Sequence, residues 1–160
     1  EAMNVDFKTA REYIGYLERA RMLFEVPFFS YSLKTQARKD KKAYCIDNGL
    51  RNAVSFVFSK DEGRLAENLV FLEILRDGEK PYYWKGSREV DFVVREKDGG
   101  VTALNVCYSD SPSDKEIEGL REFQEEFGER VDGLKLITMD LDESEEGIET
   151  VPLWRWMLGI

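Results

Sequence analysis

An α/β fold is predicted by three observations on this sequence. Two strongly amphipathic helical segments bracket three short strand-like segments, and a continuous apolar strand follows the second of them. The breaks between the three strands are short and turn-rich, which sets an antiparallel meander. The apolar strand after the helix reads as one buried on both faces, as a strand reached by a helical crossover is.

In chain order, "TAREYIGYLERARMLF" is the first helix. Thr9 and Glu12 form a capping box, and Tyr13, Leu17, Ala20 and Phe24 recur at helical spacing, an apolar stripe that needs a partner. "FEVPFFSYS" holds Pro27 and suits an edge strand or a wing. "KKAYCIDNG" gives a short strand that ends in an Asp-Asn-Gly turn, and "LRNAVSFVF" a short helix. "GRLAENLVFLEILRDG" is a helix bounded by glycines, with Leu65, Leu69, Leu72 and Leu75 or Arg76 stepping around its axis. The meander is "PYYWKG", "REVDFVVRE" and "VTALNVCYS". "SDKEIEGLREFQEEFG" turns Ile117, Leu120, Phe123 (or Gln124) and Phe127 to one side, and "GLKLITMDL" is the apolar strand. From Gly63 to Leu141 the order is α-β-β-β-α-β.

The 160 residues, 42% hydrophobic and 12% aromatic, suffice for a folded domain with a core. No run of about 18 apolar residues is present and the N-terminal stretch is not of the signal-peptide kind, so a soluble, cytoplasmic protein without a membrane partner is expected. Cys45 and Cys107 have no partner at metal-ligand spacing and read as reduced, partly buried thiols. Histidine is absent, which excludes Ser-His-Asp and Cys-His nucleophilic sites and His-ligated zinc. Chemistry here falls to carboxylates, Lys, Tyr or a hard metal. The net charge of −9 is two-ended, +4 over residues 1–60 and −13 over the rest. The basic end peaks at "KTQARKDKK", whose Lys34, Arg38, Lys39, Lys41 and Lys42 are the candidate nucleic-acid contacts, with Arg11 a further one.

Among the carboxylates, Glu67 and Glu73 are about 120° apart on one helix, so only one can face the sheet. Asp91 lies mid-strand on the face it shares with Glu89 and Val93. On the next strand Asn105 and Cys107 share a face, a small polar pair that a plain sheet does not need. Tyr82, Tyr83, Trp84, Trp154 and Trp156 read as core or interface aromatics.

This order, with a Glu in the first helix and an Asp in the second strand, resembles the PD-(D/E)XK restriction-endonuclease-like fold, which implies a central mixed sheet flanked by helices. More specifically, "YCIDNGLRNA", "LAENLVFLEIL", "YYWKGSREVDFVV" and "PLWRWML" are similar to the domain of unknown function C-terminal to the ATPase module in archaeal and bacterial AAA-type ATPases. The resemblance covers the chain from about Lys8 to its end. It implies a division into residues 1–32, the last helix and wing of a partial winged-helix segment, and 33–160, the restriction-endonuclease-like domain. No G-x-x-x-x-G-K-[ST] is present, so the expectation is a fragment without the nucleotide-binding part.

The resemblance also implies what Asn105 and Cys107 replace. The third strand of that pattern carries an acid, which helps hold Mg²⁺, and a lysine, which orients the attacking water. Asn105 offers a neutral carbonyl oxygen and Cys107 no cation. Glu67 and Asp91 match the remaining acids. With Asn105 they would hold Mg²⁺ as a weak or vestigial cofactor, none being required, and Lys85 is the candidate for a relocated lysine. Because two close carboxylates repel, a metal, a bridging water or a basic side chain is expected between Glu67 and Asp91, with Lys85 or Arg88 the first suspects. The function expected is a catalytically inactive nuclease-like domain that binds nucleic acid (DNA) or another partner for its N-terminal ATPase module. An active Mg²⁺-dependent nuclease and a structural docking or oligomerisation domain are the alternatives.

Overall fold

The five-stranded sheet at the centre has the order β3-β4-β5-β6-β7. In the computed structural model, which describes residues 5–54, 61–97, 99–109, 114–142 and 147–159, its strands are β3 (Tyr82–Lys85), β4 (Glu89–Arg95), β5 (Val101–Cys107), β6 (Val131–Thr138) and β7 (Ile148–Pro152). β3, β4 and β5 pair antiparallel as the short turns require, while β5-β6 and β6-β7 are parallel, so the sheet is mixed. Helix α4 (Glu62–Arg76) precedes the meander and α5 (Asp114–Phe127) carries the crossover to β6. The α-β-β-β-α-β order is therefore present. The seventh strand and the closing helix α6 (Leu153–Leu158) extend it; "IETVP", short and ending in proline, gave no strand signal.

The two helices lie on opposite faces. Phe92 of β4 stacks near Phe71 of α4, with ring centroids 6.5 Å apart. Asn105, one residue beyond Phe92's cross-strand partner Leu104, reaches the Glu116 carbonyl of α5. On the α4 side Val70, Phe71 and Ile74 are buried; on the α5 side Leu120 and Phe123 are, beneath Phe29 and Trp84. The leucine series of α4 is only half-buried, because Ala66, Val70, Phe71 and Ile74 form the sheet-facing side and the leucines flank it.

Ahead of α4 come α1 (Phe7–Arg19), β1 (Leu23–Val26), α2 (Leu33–Arg38), β2 (Lys42–Cys45) and α3 (Asn48–Val54). The capping box expected at Thr9 is displaced. Asp6 is the N-cap, its carboxylate accepting the Thr9 N–H at 3.0 Å and the Thr9 hydroxyl at 2.9 Å, since Asp caps as well as Thr and adds a turn. The helix also ends earlier than Phe24. Arg21, at φ 59, turns the chain back so that Leu23 can pair with Cys45.

β1 and β2 form a separate antiparallel pair. Pro27 sits at an edge as its missing N–H requires, and the next residues join the main sheet: Phe29 N–H donates to the Tyr83 carbonyl at 2.6 Å, and Tyr83 N–H to the Pro27 carbonyl at 3.0 Å. Phe29 is fully buried, its ring 5.2 Å from Phe127 and 5.9 Å from Tyr82. Segments on either side of residue 32 thus share one core. No helix among the described residues is long and apolar enough to cross a membrane.

Candidate functional site

β4 and β5 part at the residues singled out by type. Their ladder runs from Arg95–Val101 to Phe92–Leu104, and beyond it side chains take over. The Asp91 N–H donates to Asn105 Oδ1 at 2.8 Å, and the Val106 N–H donates to Asp91 Oδ2 at 3.0 Å. Asn105 Nδ2 donates to the carbonyls of Glu89 at 3.2 Å and Glu116 at 2.8 Å. Asn105 is 1% exposed, and its amide oxygen serves the Asp91 backbone. It is a brace between two strands and a helix, not the metal ligand expected of it.

The cation between the carboxylates is Lys42. β2 places Tyr44 in the core, its ring stacked on Phe71 at 4.5 Å, and the two-residue strand period puts Lys42 on the same side. The Lys42 ammonium lies 2.7 Å from Glu89 Oε1, 2.9 Å from Asp91 Oδ1 and 3.1 Å from Glu67 Oε1. An ammonium has three donors, and here each has a carboxylate. The Tyr44 hydroxyl donates to Glu67 Oε1 at 2.5 Å. A cleft of about 430 Å³ opens beside the cluster, lined by Lys42, Tyr44, Cys45, Arg51, Arg64 and Glu67 among others.

Burial and neighbours set the protonation states. Burial pushes the Asp91 carboxyl up; Lys42 pulls it down and Glu67 adds to the rise, leaving it at about 6. Burial disfavours the Lys42 ammonium, but the charges of Asp91 and Glu67 outweigh it and its pKa is raised. Glu89 is also penalised by burial, yet its bond to Lys42 holds it below the ordinary carboxylate range. Burial, then Glu67, raises the Tyr44 hydroxyl, which stays protonated as a donor. The cluster is an ionised lysine in an acidic tripod.

The other candidates lie elsewhere. Lys85 is exposed and pairs with Glu89 Oε2 at 3.3 Å, not with Asp91; Arg88 pairs with Glu118 at 2.8 Å. The cation that the carboxylates share is thus neither of these. Cys107 is buried with its sulfur 3.4 Å from the Ser109 hydroxyl. Glu73 is turned away, as its helical angle demands, and pairs with Arg76. The basic run does not present one face. Lys34 and Arg38 are exposed on α2, Lys39 lies 5.2 Å from the Phe28 ring centre, Lys41 pairs with Glu25, and Lys42 points into the tripod. Sequence reasoning missed that Lys42, read as a nucleic-acid contact, and Glu89 belong to the carboxylate cluster. The signal available was that Lys42 alternates with a Tyr, the pattern of a strand face turned inward.

The acid and lysine types of a metal-dependent nuclease are present, but the arrangement does not fit the Mg²⁺ that the fold resemblance implies. Magnesium needs oxygen ligands at about 2.1 Å in an octahedron. The place that Glu67, Glu89 and Asp91 share is filled by the Lys42 nitrogen at hydrogen-bond lengths. Among the described residues no group of three His, Cys, Asp or Glu side chains is set to hold a metal.

Comparison with known proteins divides the chain at α4. Residues 62–156 match the family model described as Domain of unknown function (DUF4143), and residues 1–61 match Domain of unknown function (DUF8612). An uncharacterized protein of Methanocaldococcus jannaschii is 35% identical over 162 residues, covering 91% of this chain and 35% of that protein. An uncharacterized protein of Haemophilus influenzae is 26% identical over 153 residues, covering 94% of this chain and 37% of that protein. The chain spans roughly a third of the length of these curated relatives. No solved structure matches it. Lys42 and Tyr44 thus come from one matched segment, and Glu67, Glu89 and Asp91 from the other.

Proposed function

Because the chain belongs to the family described as Domain of unknown function (DUF4143), whose members usually stand at the C-terminus of AAA-type ATPases, we propose that it is the nuclease-like C-terminal module of such an ATPase and works by docking, not by cutting. The reading takes the α-β-β-β-α-β order, with Asp91 where the strands part, as a restriction-endonuclease-like sheet. One observation carries the absence of cleavage: the Lys42 ammonium occupies the place that Glu67, Glu89 and Asp91 share. Asn105 meanwhile is spent on bracing the backbone. Neither the metal nor the third-strand acid that phosphodiester hydrolysis uses has a place.

Docking is supported by α1. No residue of that helix is buried, and Phe7, Tyr13, Tyr16 and Leu17 are 80, 62, 57 and 38% exposed. Exposed apolar side chains on a helix with no buried residue support an interaction face, and the partner of the reading is the ATPase module. A second reading, binding of nucleic acid through α2, is supported by the exposed Lys34 and Arg38 with Lys39 beside them.

The test runs both arms on the full-length protein and on this chain. Incubation with DNA and RNA in Mg²⁺ or Mn²⁺ should give no cleavage above a Glu67→Ala, Asp91→Ala control. Association of this chain with the ATPase portion should weaken about tenfold when Tyr13 and Leu17 become Ser. Metal-dependent cleavage lost in the control overturns the reading. Association untouched by the α1 changes removes the docking face.

A further inference from the structure

We infer that Arg95 and Arg130, gathered on the exposed ring of Tyr31, form a binding site for a phosphate group at the opposite end of β4 from the Lys42 cluster. The site is separate from the carboxylates and from the docking face on α1. It joins the two matched segments, with Tyr31 from 1–61 and both arginines from 62–156.

Strand register brings the arginines to one place. Arg95 ends β4 opposite Val101, and Val101 pairs in turn with Val131, the first residue of β6. Arg130, the last residue of the 3-10 turn Gly128–Arg130, stands immediately before it. Tyr31 reaches the same end of the sheet behind the buried Phe29, its ring 5.3 Å from Phe29 and 6.1 Å from Phe127. The Arg130 guanidinium lies 4.7 Å from the Tyr31 ring centre. The Arg95 guanidinium lies 5.9 Å from that same centre, 5.8 Å from the centre of Phe29 and 5.3 Å from that of Tyr82.

A guanidinium over an aromatic ring meets it with its flat face, while its five N–H donors lie in its plane and stay directed outward. What those donors meet is the second observation. Arg64, Arg88 and Arg155 pair with Asp61, Glu118 and Asp142, and Arg76 pairs with Glu73. Arg95 and Arg130 have no carboxylate partner among the described residues, although residues 61–160 carry a net charge of −13. Glu96, next to Arg95, accepts the Thr102 hydroxyl at 2.6 Å instead. Both arginines are exposed, and Tyr31 is 44% exposed. Two planar forks are therefore held on one ring with their donors open to solvent. One fork satisfies both oxygens of a carboxylate; a phosphate has oxygens enough for two.

Calorimetric titration of the chain with inorganic pyrophosphate, against chloride at matched ionic strength, tests this. Wild type should bind saturably, Arg95→Gln and Arg130→Gln each about tenfold more weakly, and the double variant not at all. Tyr31→Ala keeps both charges and loses the ring that holds them, so it should weaken binding too, which a diffuse basic patch would not show. Circular dichroism checks folding, and where a Gln variant does not fold, the Lys variant, which keeps the charge but not the planar fork, carries the comparison. A deoxythymidine strand of about ten nucleotides separates the sources of the phosphate. Tighter binding of the strand than of pyrophosphate, lost in the double variant, supports the site with a phosphodiester as its ligand, and the reverse order supports it with a free phosphate. No saturable binding by wild type overturns the inference, as does binding untouched by the double change or matched by succinate. Loss of pyrophosphate binding when Lys34, Arg38 and Lys39 become Gln would move the site to α2 and overturn it equally.

Discussion

Asp91 and Asn105 hold apart two strands that they also join: the Asp91 N–H donates to the Asn105 amide oxygen at 2.8 Å, while the Asp91 carboxylate accepts the N–H of Val106 at 3.0 Å. Side chains do here what the ladder does elsewhere. The opening that results gives Lys42 access to Asp91 from β2.

Asn105→Ala should therefore cost about 2–4 kcal/mol, because it strands a buried Asp91 N–H and the Glu89 carbonyl and leaves a void. Urea denaturation should show a lower midpoint at unchanged slope. Asn105→Asp should fare no better, since it loses both amide donors and adds an acid. The paired change Asn105→Glu, Cys107→Lys should restore no nuclease activity, with Lys42 still in the cluster.

Gly119 is required by closeness. A Cβ there would stand 2.6 Å from the Glu89 carbonyl oxygen and 3.3 Å from Asn105 Nδ2. A backbone atom cannot swing aside, so Gly119→Ala should destabilise by about 1–3 kcal/mol. Gly133→Ala is the control: its Cβ would meet Thr102 at 3.6 Å, ordinary contact, and thermal melting should change little.

Asp91 should titrate near 6, against an ordinary 3.8, as a carboxyl resonance followed by NMR. The folded value is raised, so the folded chain takes up this proton first as pH falls. Asp91's own contribution to stability grows as pH drops through 6, is complete below its unfolded value, and is lost as pH rises through 6. Glu89, held low by Lys42, contributes in the opposite sense, above its ordinary 4.5. Lys42→Met should move the Asp91 midpoint higher still, because it removes the charge that lowers it most and leaves only the Val106 N–H. A midpoint at about 4 in wild type would contradict this account.

Lys42→Met should lower stability at neutral pH by about 3 kcal/mol, the usual consequence of leaving buried charge unpaired. Adding Glu67→Gln and Asp91→Asn should return much of that loss. Strong non-additivity of this sign, read from urea midpoints, is the mark of a shared charge cluster.

For the nucleic-acid reading, the triple change Lys34→Gln, Arg38→Gln, Lys39→Gln is the informative one, since Lys41 and Lys42 are engaged by Glu25 and by the tripod. If α2 meets duplex DNA, binding should weaken and the slope of log affinity against log salt should flatten by about 0.9 per lost phosphate contact. An unchanged slope would leave α2 a solvated helix.

Periodicity alone determined the run from α4 to β6. The i, i+3, i+4 recurrences of Leu120, Phe123 and Phe127, the two-residue alternation around Phe92 and the short turns between strands admit one order of elements, and local geometry enforces each. It also placed Asp91 and Asn105 mid-strand as residues out of character and kept Glu67 and Glu73 from sharing one site. Three things lay beyond it. The stop of α1 depends on Arg21, a good helix former forced to φ 59 by the need of Leu23 to reach Cys45, a partner 22 residues away. β7 depends on an open edge of β6 that no local signal in "IETVP" announces. Lys42 depends on most: in the sequence it is the last of five cations in a run, and counting charge makes it surface. Only the clamp of Asn68 on Cys45 and the stacking of Tyr44 on Phe71 turn it inward, where carboxylates from α4 and β4 converge. Charge counting sees how many cations a segment has, whereas the sign and strength of what each cation meets are set by contacts 25 and 49 residues away in the chain.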